Sequence, residues 1–329
     1  MTEGLKASQT AALAASAGAA AAPETPLRVN VFPGASNLPI FIALERGIFA
    51  RHGLKIDLQN TPNSQAQRAG LADGKFEIAH AAVDNAVAMV ETAGCDAIIV
   101  MGGDAGMNEF MVRPEIGGIA DIRGKILAVD APNTAYALVA KKILKNHGLI
   151  EGRDYTVRPV GGTMQRSQAI ATDPGLAAGM VNLPFSITIR AQGLKSLGRS
   201  RDLIGPYQAT GAFVMRSWAQ ANGDALERYI AAYVESLRIA MDPSNKGEAA
   251  ATLVKHLNLV PQVAEQTVTQ LMIPGFGLAP DARFDMEGFR TVLALRAELE
   301  DQWGGTPPAP EKYLDLGYYE RALKRLGTI

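Results

Sequence analysis

The sequence of 329 residues contains a single cysteine, Cys95, and only four histidines. One cysteine excludes an internal disulfide and any metal site that several thiolates would build. The histidines (His52, His80, His147 and His256) lie far apart, and their spacing matches no metal-binding motif. We therefore expect no metal site and no cofactor.

An excess of charge of either sign is also missing. The chain has 32 Lys and Arg against 33 Asp and Glu, which gives a formal net charge of -1. Binding to nucleic acid or to an anionic membrane needs clustered positive charge, so neither is expected as a partner. No stretch is long and apolar enough to span a bilayer.

Signatures of catalysis are missing as well. The sequence has no G-x-S-x-G elbow, no Walker A loop and no H-E-x-x-H pair. Residues 102–106 are rich in glycine and follow an apolar run, but they lack the G-x-G-x-x-G spacing of a dinucleotide loop. No catalytic residue is predicted, and the chain is not expected to be an enzyme.

The first 26 residues differ from the rest of the chain. They combine one lysine, Lys6, with an alanine-rich run over residues 11–22 and a spacer that contains Pro23 and Pro26. This composition predicts a secretory signal and hence a periplasmic location in a bacterium. The alternative is a disordered or weakly helical tail.

A βαβ unit opens the remainder. Residues 27–31 are typical of a strand, and Pro33, Gly34 and Asn37 form a turn before an apolar helix. Gly47 ends that helix ahead of a second strand. In open α/β sheets, ligands bind outside the carboxyl ends of the strands and near helix N-termini, so we expect this turn to face a ligand.

Two successive α/β runs follow from the alternation of strand and helix patterns. We predict strands at 27–31, 55–58, 76–83 and 96–101, and then at 109–113, 126–130, 155–160 and 176–181. Extended crossings near 104–109 and 207–212 predict a hinge between two lobes. The first lobe would comprise 27–105 and 208–329, and the second lobe 106–207. The helical last third is interpreted as scaffold without chemistry.

Two segments resemble one protein family. Residues 37–54 (NLPIFIALERGIFARHGL) look like the opening of bacterial ABC-transporter substrate-binding proteins, and residues 120–129 (ADIRGKILAV) are similar to the start of their second lobe. The branch is the type 2 periplasmic binding fold, with binders of sulfonate, nitrate, taurine and thiamine precursors. The resemblance implies an α/β fold of two lobes, each a parallel-rich sheet flanked by helices. It also implies a monomer that captures a small molecule by hinge closure and delivers it to an ABC permease and its ATPase.

The resemblance places the ligand contacts in loops at the strand ends. Carried over to this sequence, they are Asn37, Leu38, Asn63, Asp84, Asn85, Asp104, Asn133, Thr134, Asn182, Phe185, Tyr207 and Gln208. None of these positions is an arginine, which argues against a sulfonate or nitrate clamped by a guanidinium group. The set favours a neutral, aromatic or amine-bearing molecule. The clustered cysteines of the fungal pyrimidine-synthase relatives are absent, which argues against their self-consuming activity.

Several of these residues fit an ordinary structural role equally well. Asn37 suits a turn, Thr134 an N-cap and Asp104 a hinge turn, whereas Phe185 and Tyr207 suit packing between the lobes.

The alternative function is an enzyme on the same fold, decarboxylase-like or forming a pyrimidine precursor. It needs a titrating group in the cleft, and the candidates are Asp84 and His80. A carboxylate of Asp84 that faced the cleft would favour an amine or hydroxyl on the ligand. His80 lies in the middle of a predicted strand and is interpreted as a packed core histidine.

Overall fold

The structure, a computed structural model, describes residues 24–327. Residues 1–23 of the predicted export signal lie outside the described residues. Strand β1 begins at Thr25, so the predicted spacer, which was extended to residue 26, ends earlier than expected.

The described residues contain ten strands and fourteen α-helices, besides short 3-10 helices and loops. The strands are β1 Thr25–Val31, β2 Leu54–Asn60, β3 Ile78–Ala82, β4 Ala97–Gly102, β5 Asn108–Val112, β6 Ile126–Val129, β7 Thr156–Pro159, β8 Ala178–Asn182, β9 Lys195–Arg199 and β10 Thr210–Met215. The helices are α1 Leu38–Glu45, α2 Ile48–Arg51, α3 Ser64–Ala72, α4 Asp84–Ala93, α5 Ala135–Asn146, α6 Thr163–Thr172, α7 Phe185–Arg190, α8 Ser200–Ile204, α9 Arg216–Ala221, α10 Gly223–Met241, α11 Lys246–Leu257, α12 Pro261–Leu271, α13 Met286–Leu299 and α14 Gly317–Arg325.

The strands form two five-stranded sheets. The first has the order β2-β1-β3-β10-β4 and the second the order β7-β6-β8-β5-β9. In the first sheet β10 is antiparallel to both of its neighbours, and in the second β5 is antiparallel to β8. The predicted α/β fold with two parallel-rich sheets is confirmed. Strand β9 escaped prediction because Lys195, Gly198 and Arg199 give this edge strand little β-propensity.

The chain passes between the sheets twice, after β4 and before β10. Asp104 in the first passage ties the two together: its Oδ1 accepts from the Gly106 amide at 2.9 Å, and the Thr210 hydroxyl donates to its Oδ2. Gly106 has a φ of 90°, a left-handed conformation that favours glycine. The predicted lobe boundaries at 105 and 208 stay predictions, although the strands on either side of them belong to different sheets.

The C-terminal helices pack on both halves of the molecule. Helix α10 buries Tyr229, Ile230 and Tyr233 in the same apolar cluster as helix α1. Helix α13 contributes Phe289 and Val292 to a second cluster that also contains Leu138 of α5, next to the second sheet. The predicted bracing of the first run is therefore only part of their role.

Candidate functional site

A cleft lies between the two sheets, at the ends of strands from both of them. Its volume, mouth included, is about 720 Å³. The first wall, supplied by elements of the first sheet and by α10, consists of Phe32, Pro33, Gly34, Ser36, Asn37, Ser64, His80, Ala82, Asn85, Thr210 and Tyr233. The second wall, supplied by elements of the second sheet, consists of Asp130, Thr134, Ala135, Tyr136, Gly162, Thr163, Arg166 and Asn182.

Two predicted asparagines lie in the first wall. Asn37 follows the turn after β1, and its Nδ2 donates to the carbonyl of Phe32 at 2.7 Å. Asn37 therefore stabilises the turn and also lines the cleft. Asn85 lies in the first turn of α4, and its Oδ1 is buried without a hydrogen-bond partner within residues 24–327. A buried acceptor without a donor costs free energy, which a ligand N–H or O–H would recover.

The other two predicted residues of the cleft lie in the second wall. Thr134 precedes α5, and its hydroxyl donates to the Ala131 carbonyl at 2.8 Å. Asn182 ends β8, and among the described residues its Oδ1 also has no partner. Each wall thus contains a buried amide oxygen that has no hydrogen-bond partner among the described residues.

Asp130, directly after β6, connects the two walls. Its Oδ2 accepts hydrogen bonds from the backbone N of Ser64 at 3.0 Å and from the Ser64 hydroxyl at 2.5 Å. Ser64 is the first residue of α3, so a carboxylate from the second wall faces the N-terminus of a helix of the first wall.

Arg166 is the buried cation of the cleft, with 2% of its surface exposed. Its Nε donates to the Met180 carbonyl at 2.7 Å, and its other nitrogens donate to the Gly161 carbonyl at 3.1 Å and to the Thr163 hydroxyl at 2.9 Å. Burial lowers the pKa of Arg166, and nearby Asp130 partly opposes this. The group stays protonated, because the guanidinium pKa begins far above neutrality.

The hydrogen bonds of Arg166 are all to neutral groups. A guanidinium has five N–H donors, so three bonds leave two donors without an acceptor in the described part of the chain. The expectation of a cleft without arginine is wrong. Arg166 was missed because it lies one turn inside α6, and because the loop at 161–163 after β7 was not included among the predicted contacts.

The first wall also contains the ring side chains of Phe32, His80 and Tyr233. The His80 and Tyr233 rings stack at 5.3 Å, and the Nε2 of His80 lies 2.8 Å from the Tyr229 hydroxyl. His80 is 9% exposed, so its interpretation as a packed histidine describes its burial but not its place at the cleft. Tyr233 comes from α10, and the interpretation of the last third as scaffold only is therefore wrong.

Asp84 does not face the cleft. Its Oδ1 and Oδ2 accept from the Nε and Nη2 of Arg296 at 2.5 and 2.8 Å, and both side chains are 1% exposed. The prediction that a cleft-facing carboxylate of Asp84 would favour an amine or hydroxyl on the ligand is corrected, because this carboxylate is paired with a guanidinium from α13. For the same reason Asp84 does not supply the cleft group that the alternative enzyme would need.

Three other predicted contacts lie at the passages between the sheets. Asp104 is 2% exposed and holds the hinge turn described above. Gln208 donates to the Thr210 carbonyl at 2.6 Å and accepts from the Asp285 amide at 2.7 Å, which ties the second passage to the start of α13. Tyr207 is buried in the apolar cluster around α13. None of the three lines the cleft.

The remaining four predicted contacts also lie elsewhere. Leu38 is fully buried in the first core. Asn63 caps α3, with its Oδ1 accepting from the Ala66 amide at 2.8 Å. The Asn133 side chain is exposed, and Phe185 packs against the small apolar cluster of the second sheet.

Within residues 24–327 no group of three or more His, Cys, Asp or Glu side chains could hold a metal ion. Among the same residues no helix has both the length and the apolar character needed to cross a membrane.

The sequence matches the model of a known protein family. The sequence model of the NMT1-like family matches residues 20–254. A search of curated proteins found no match.

Solved structures share the fold. A protein from Bordetella bronchiseptica RB50 superposes with a TM-score of 0.80 at 19% identity, over 92% of this chain and 98% of that one. The periplasmic nitrate-binding protein of Synechocystis PCC 6803 gives 0.77 at 14% identity, over 93% and 90% of the two chains. The alkanesulfonate-binding protein of Xanthomonas axonopodis pv. citri, bound to MOPS, gives 0.69 at 17% identity, over 88% and 96%. The fold is that of the periplasmic binding proteins, as the sequence predicted.

Proposed function

The chain belongs to the NMT1-like family, and from this premise we propose that it is the solute-binding component of an ABC-type importer. The observation that carries the proposal is Arg166, a buried cation in a cleft between two sheets, with two N–H donors that no group within residues 24–327 accepts. Burying an arginine without a carboxylate is costly, and an anionic ligand would offset that cost.

The same site defines the chemistry of the ligand. An anionic group would meet Arg166, while N–H or O–H groups would meet the unpaired oxygens of Asn85 and Asn182. The carboxylate of Asp130 is already engaged by Ser64. We therefore replace the neutral, aromatic or amine-bearing molecule of the sequence prediction by a small organic anion, to which a hydrogen-bond donor would add affinity without being required. The nitrate-binding and alkanesulfonate-binding proteins of the same fold also take their names from anions.

Hinge closure would account for capture. Three contacts cross the cleft: Ser64 to Asp130, the Gly162 amide to the Pro62 carbonyl at 3.0 Å, and the Ala35 amide to the Leu183 carbonyl at 3.2 Å. Opening the cleft would break all three, so a ligand that binds both walls favours the closed form. The closed, loaded protein would then deliver its solute to a membrane permease, as a monomer in the periplasm.

The test uses a pair of molecules that differ in charge and hardly in shape. We expect methanesulfonate to raise the melting temperature of the purified protein and dimethyl sulfone, a neutral analogue of the same shape that also lacks N–H and O–H groups, to do so far less. A ligand at 100 times its dissociation constant stabilises the native state by about 2.7 kcal/mol. Mass spectrometry should recover the solute unchanged. Equal shifts for the two molecules would refute the anion site, and chemical turnover would replace the binding role by an enzymatic one.

A further inference from the structure

We propose that His80 is a ligand-contacting residue of this cleft, and that Tyr229 is the positioning residue that fixes its imidazole as the Nδ1–H tautomer. The ligand contact rests on the proposed function. The tautomer does not, because both residues belong to the protein.

The hydroxyl group of Tyr229 is buried next to the imidazole of His80. Tyr229 is fully buried in α10, its ring stacks on Phe49 at 5.5 Å, and its hydroxyl is 2.8 Å from the Nε2 of His80. No other residue in the described chain hydrogen-bonds to that hydroxyl. The phenolic hydrogen therefore has a single available acceptor, the imidazole nitrogen.

The tautomer follows from this pairing. If Nε2 carried the proton, it would donate to the hydroxyl oxygen, and the phenolic hydrogen would remain buried without an acceptor, at the cost of its desolvation. If Nε2 is bare, the Tyr229 hydroxyl donates to it, and the polar hydrogen of this pair that has no protein acceptor is then Nδ1–H of a cleft-lining residue, where water or a ligand can accept it. The proton of the neutral ring then lies on Nδ1, although Nε2–H is the commoner tautomer of free histidine in water.

The Nδ1–H group is the part of the ring left for a ligand. Within the described residues Nδ1 has no hydrogen-bond partner, and His80 lines the first wall. Stacking on Tyr233, with the ring centroids 5.3 Å apart, fixes the plane of the imidazole. The hydrogen bond to Tyr229 fixes the rotation of the imidazole within that plane. The imidazole is therefore a fixed donor.

This donor differs in kind from Arg166. Burial lowers the pKa of His80 to about 3, so the ring is neutral at any physiological pH. Its contact would select a hydrogen-bond acceptor on the ligand, such as a sulfonate or carbonyl oxygen, without adding charge to the site. Arg166 would recognise the charge of the ligand, and His80 the direction of one acceptor atom.

The first experiment needs no ligand. In protein labelled with ¹⁵N in its histidine rings, long-range ¹H–¹⁵N spectra distinguish a protonated ring nitrogen from a bare one. We expect a protonated Nδ1 and a bare Nε2 at His80, and a shift toward a mixture of tautomers in Tyr229→Phe. A protonated Nε2 in the wild type, or no change in Tyr229→Phe, would overturn the inference. His147 and His256 serve as internal controls.

The second experiment tests the contact with methanesulfonate as the probe. Its addition should move the Nδ1 resonance of His80 and leave that of His147 in place. The double variant His80→Leu/Tyr229→Phe removes the donor without leaving a buried hydroxyl unpaired, so it should fold and bind methanesulfonate about fivefold to tenfold more weakly. Wild-type affinity in the double variant would refute the contact. If the wild type binds no sulfonate, the proposed anion ligand fails, whereas the tautomer measurement still decides the role of Tyr229.

Discussion

Two buried arginines in this protein have an aspartate nearby, and their surroundings differ. Arg296 and Asp84 form a two-pronged ion pair, with N–O distances of 2.5 and 2.8 Å, away from the cleft. Burial lowers the pKa of Arg166, and Asp130 is close enough to oppose that lowering, but the two side chains share no hydrogen bond. Asp130 instead accepts from Ser64, and Arg166 donates to carbonyls and to a hydroxyl.

The difference separates a structural charge from one available to a ligand. In a buried ion pair the two charges compensate each other, so the pair does not attract a third charge. Removing one partner leaves the other as an uncompensated buried charge, which lowers stability. A buried cation held by neutral acceptors keeps its charge uncompensated, which a ligand can complete. A substitution in the Asp84–Arg296 pair should therefore change the stability of the protein, whereas a substitution of Arg166 should change its affinity for the ligand.

The largest effect is expected from Asp84→Asn. It leaves Arg296 charged, buried and without a carboxylate, so the free energy of unfolding should fall by about 3–5 kcal/mol. Urea denaturation measures this directly.

The matched control for that substitution is Asp173→Asn. Asp173 pairs with Arg158 where both side chains are 42% exposed, and this change should cost at most about 1 kcal/mol. The double variant Asp84→Leu/Arg296→Met should recover most of the stability, because it removes both charges. Equal losses from the two single substitutions would show that Asp84–Arg296 is no more than a surface-like pair.

The second effect should appear in ligand affinity rather than in stability. Arg166→Met keeps the length of the side chain but removes the charge, so methanesulfonate should bind about 10- to 100-fold more weakly, the worth of a hydrogen bond to a charged group. The loss of stability should stay within about 2 kcal/mol, since the cost of burying the cation disappears with it. Isothermal titration calorimetry and urea denaturation give the two numbers.

Arg158→Met is the control here, because Arg158 lies on β7, the strand that precedes α6, with its side chain 42% exposed and outside the cleft. It should bind methanesulfonate like the wild type. An Arg166→Met protein with unchanged affinity would remove the guanidinium from the proposed site.

The contrast between the two arginines also shows which parts of the fold and of the site could be predicted from the sequence. Strand and helix periodicity predicted both runs of the fold, because apolar residues alternate or recur on a face wherever an element packs on a core. Asn37, Asn85, Thr134 and Asn182 were predicted from the resemblance to substrate-binding proteins, which implies contacts in the loops at strand ends, and all four line the cleft.

Residues that reach the cleft from within a helix have no local sequence pattern that marks them as site residues. Arg166 enters from the second turn of α6, and Tyr233 from a long helix whose other apolar residues are core. Asp84 looked like a strand-end carboxylate, and its partner Arg296 is 212 residues away along the chain. Which arginine neutralises which aspartate depends on tertiary packing, and no local pattern encodes it.

The smallest effect should come from Ser64→Ala, which weakens the link between the walls. The substitution removes the hydroxyl that donates to Asp130 and keeps the backbone amide that also does, so one hydrogen bond worth about 1 kcal/mol is lost in the closed form. Affinity for methanesulfonate should fall about fivefold, because closure becomes less favourable by that amount. Ser244→Ala is the matched control: Ser244 also donates to an aspartate, Asp242, at 2.7 Å, but on the exposed surface. If both serine variants bound methanesulfonate like the wild type, the hydrogen bond from the Ser64 hydroxyl to Asp130 would contribute nothing to closure, which would leave the backbone amide of Ser64 as the link between the walls.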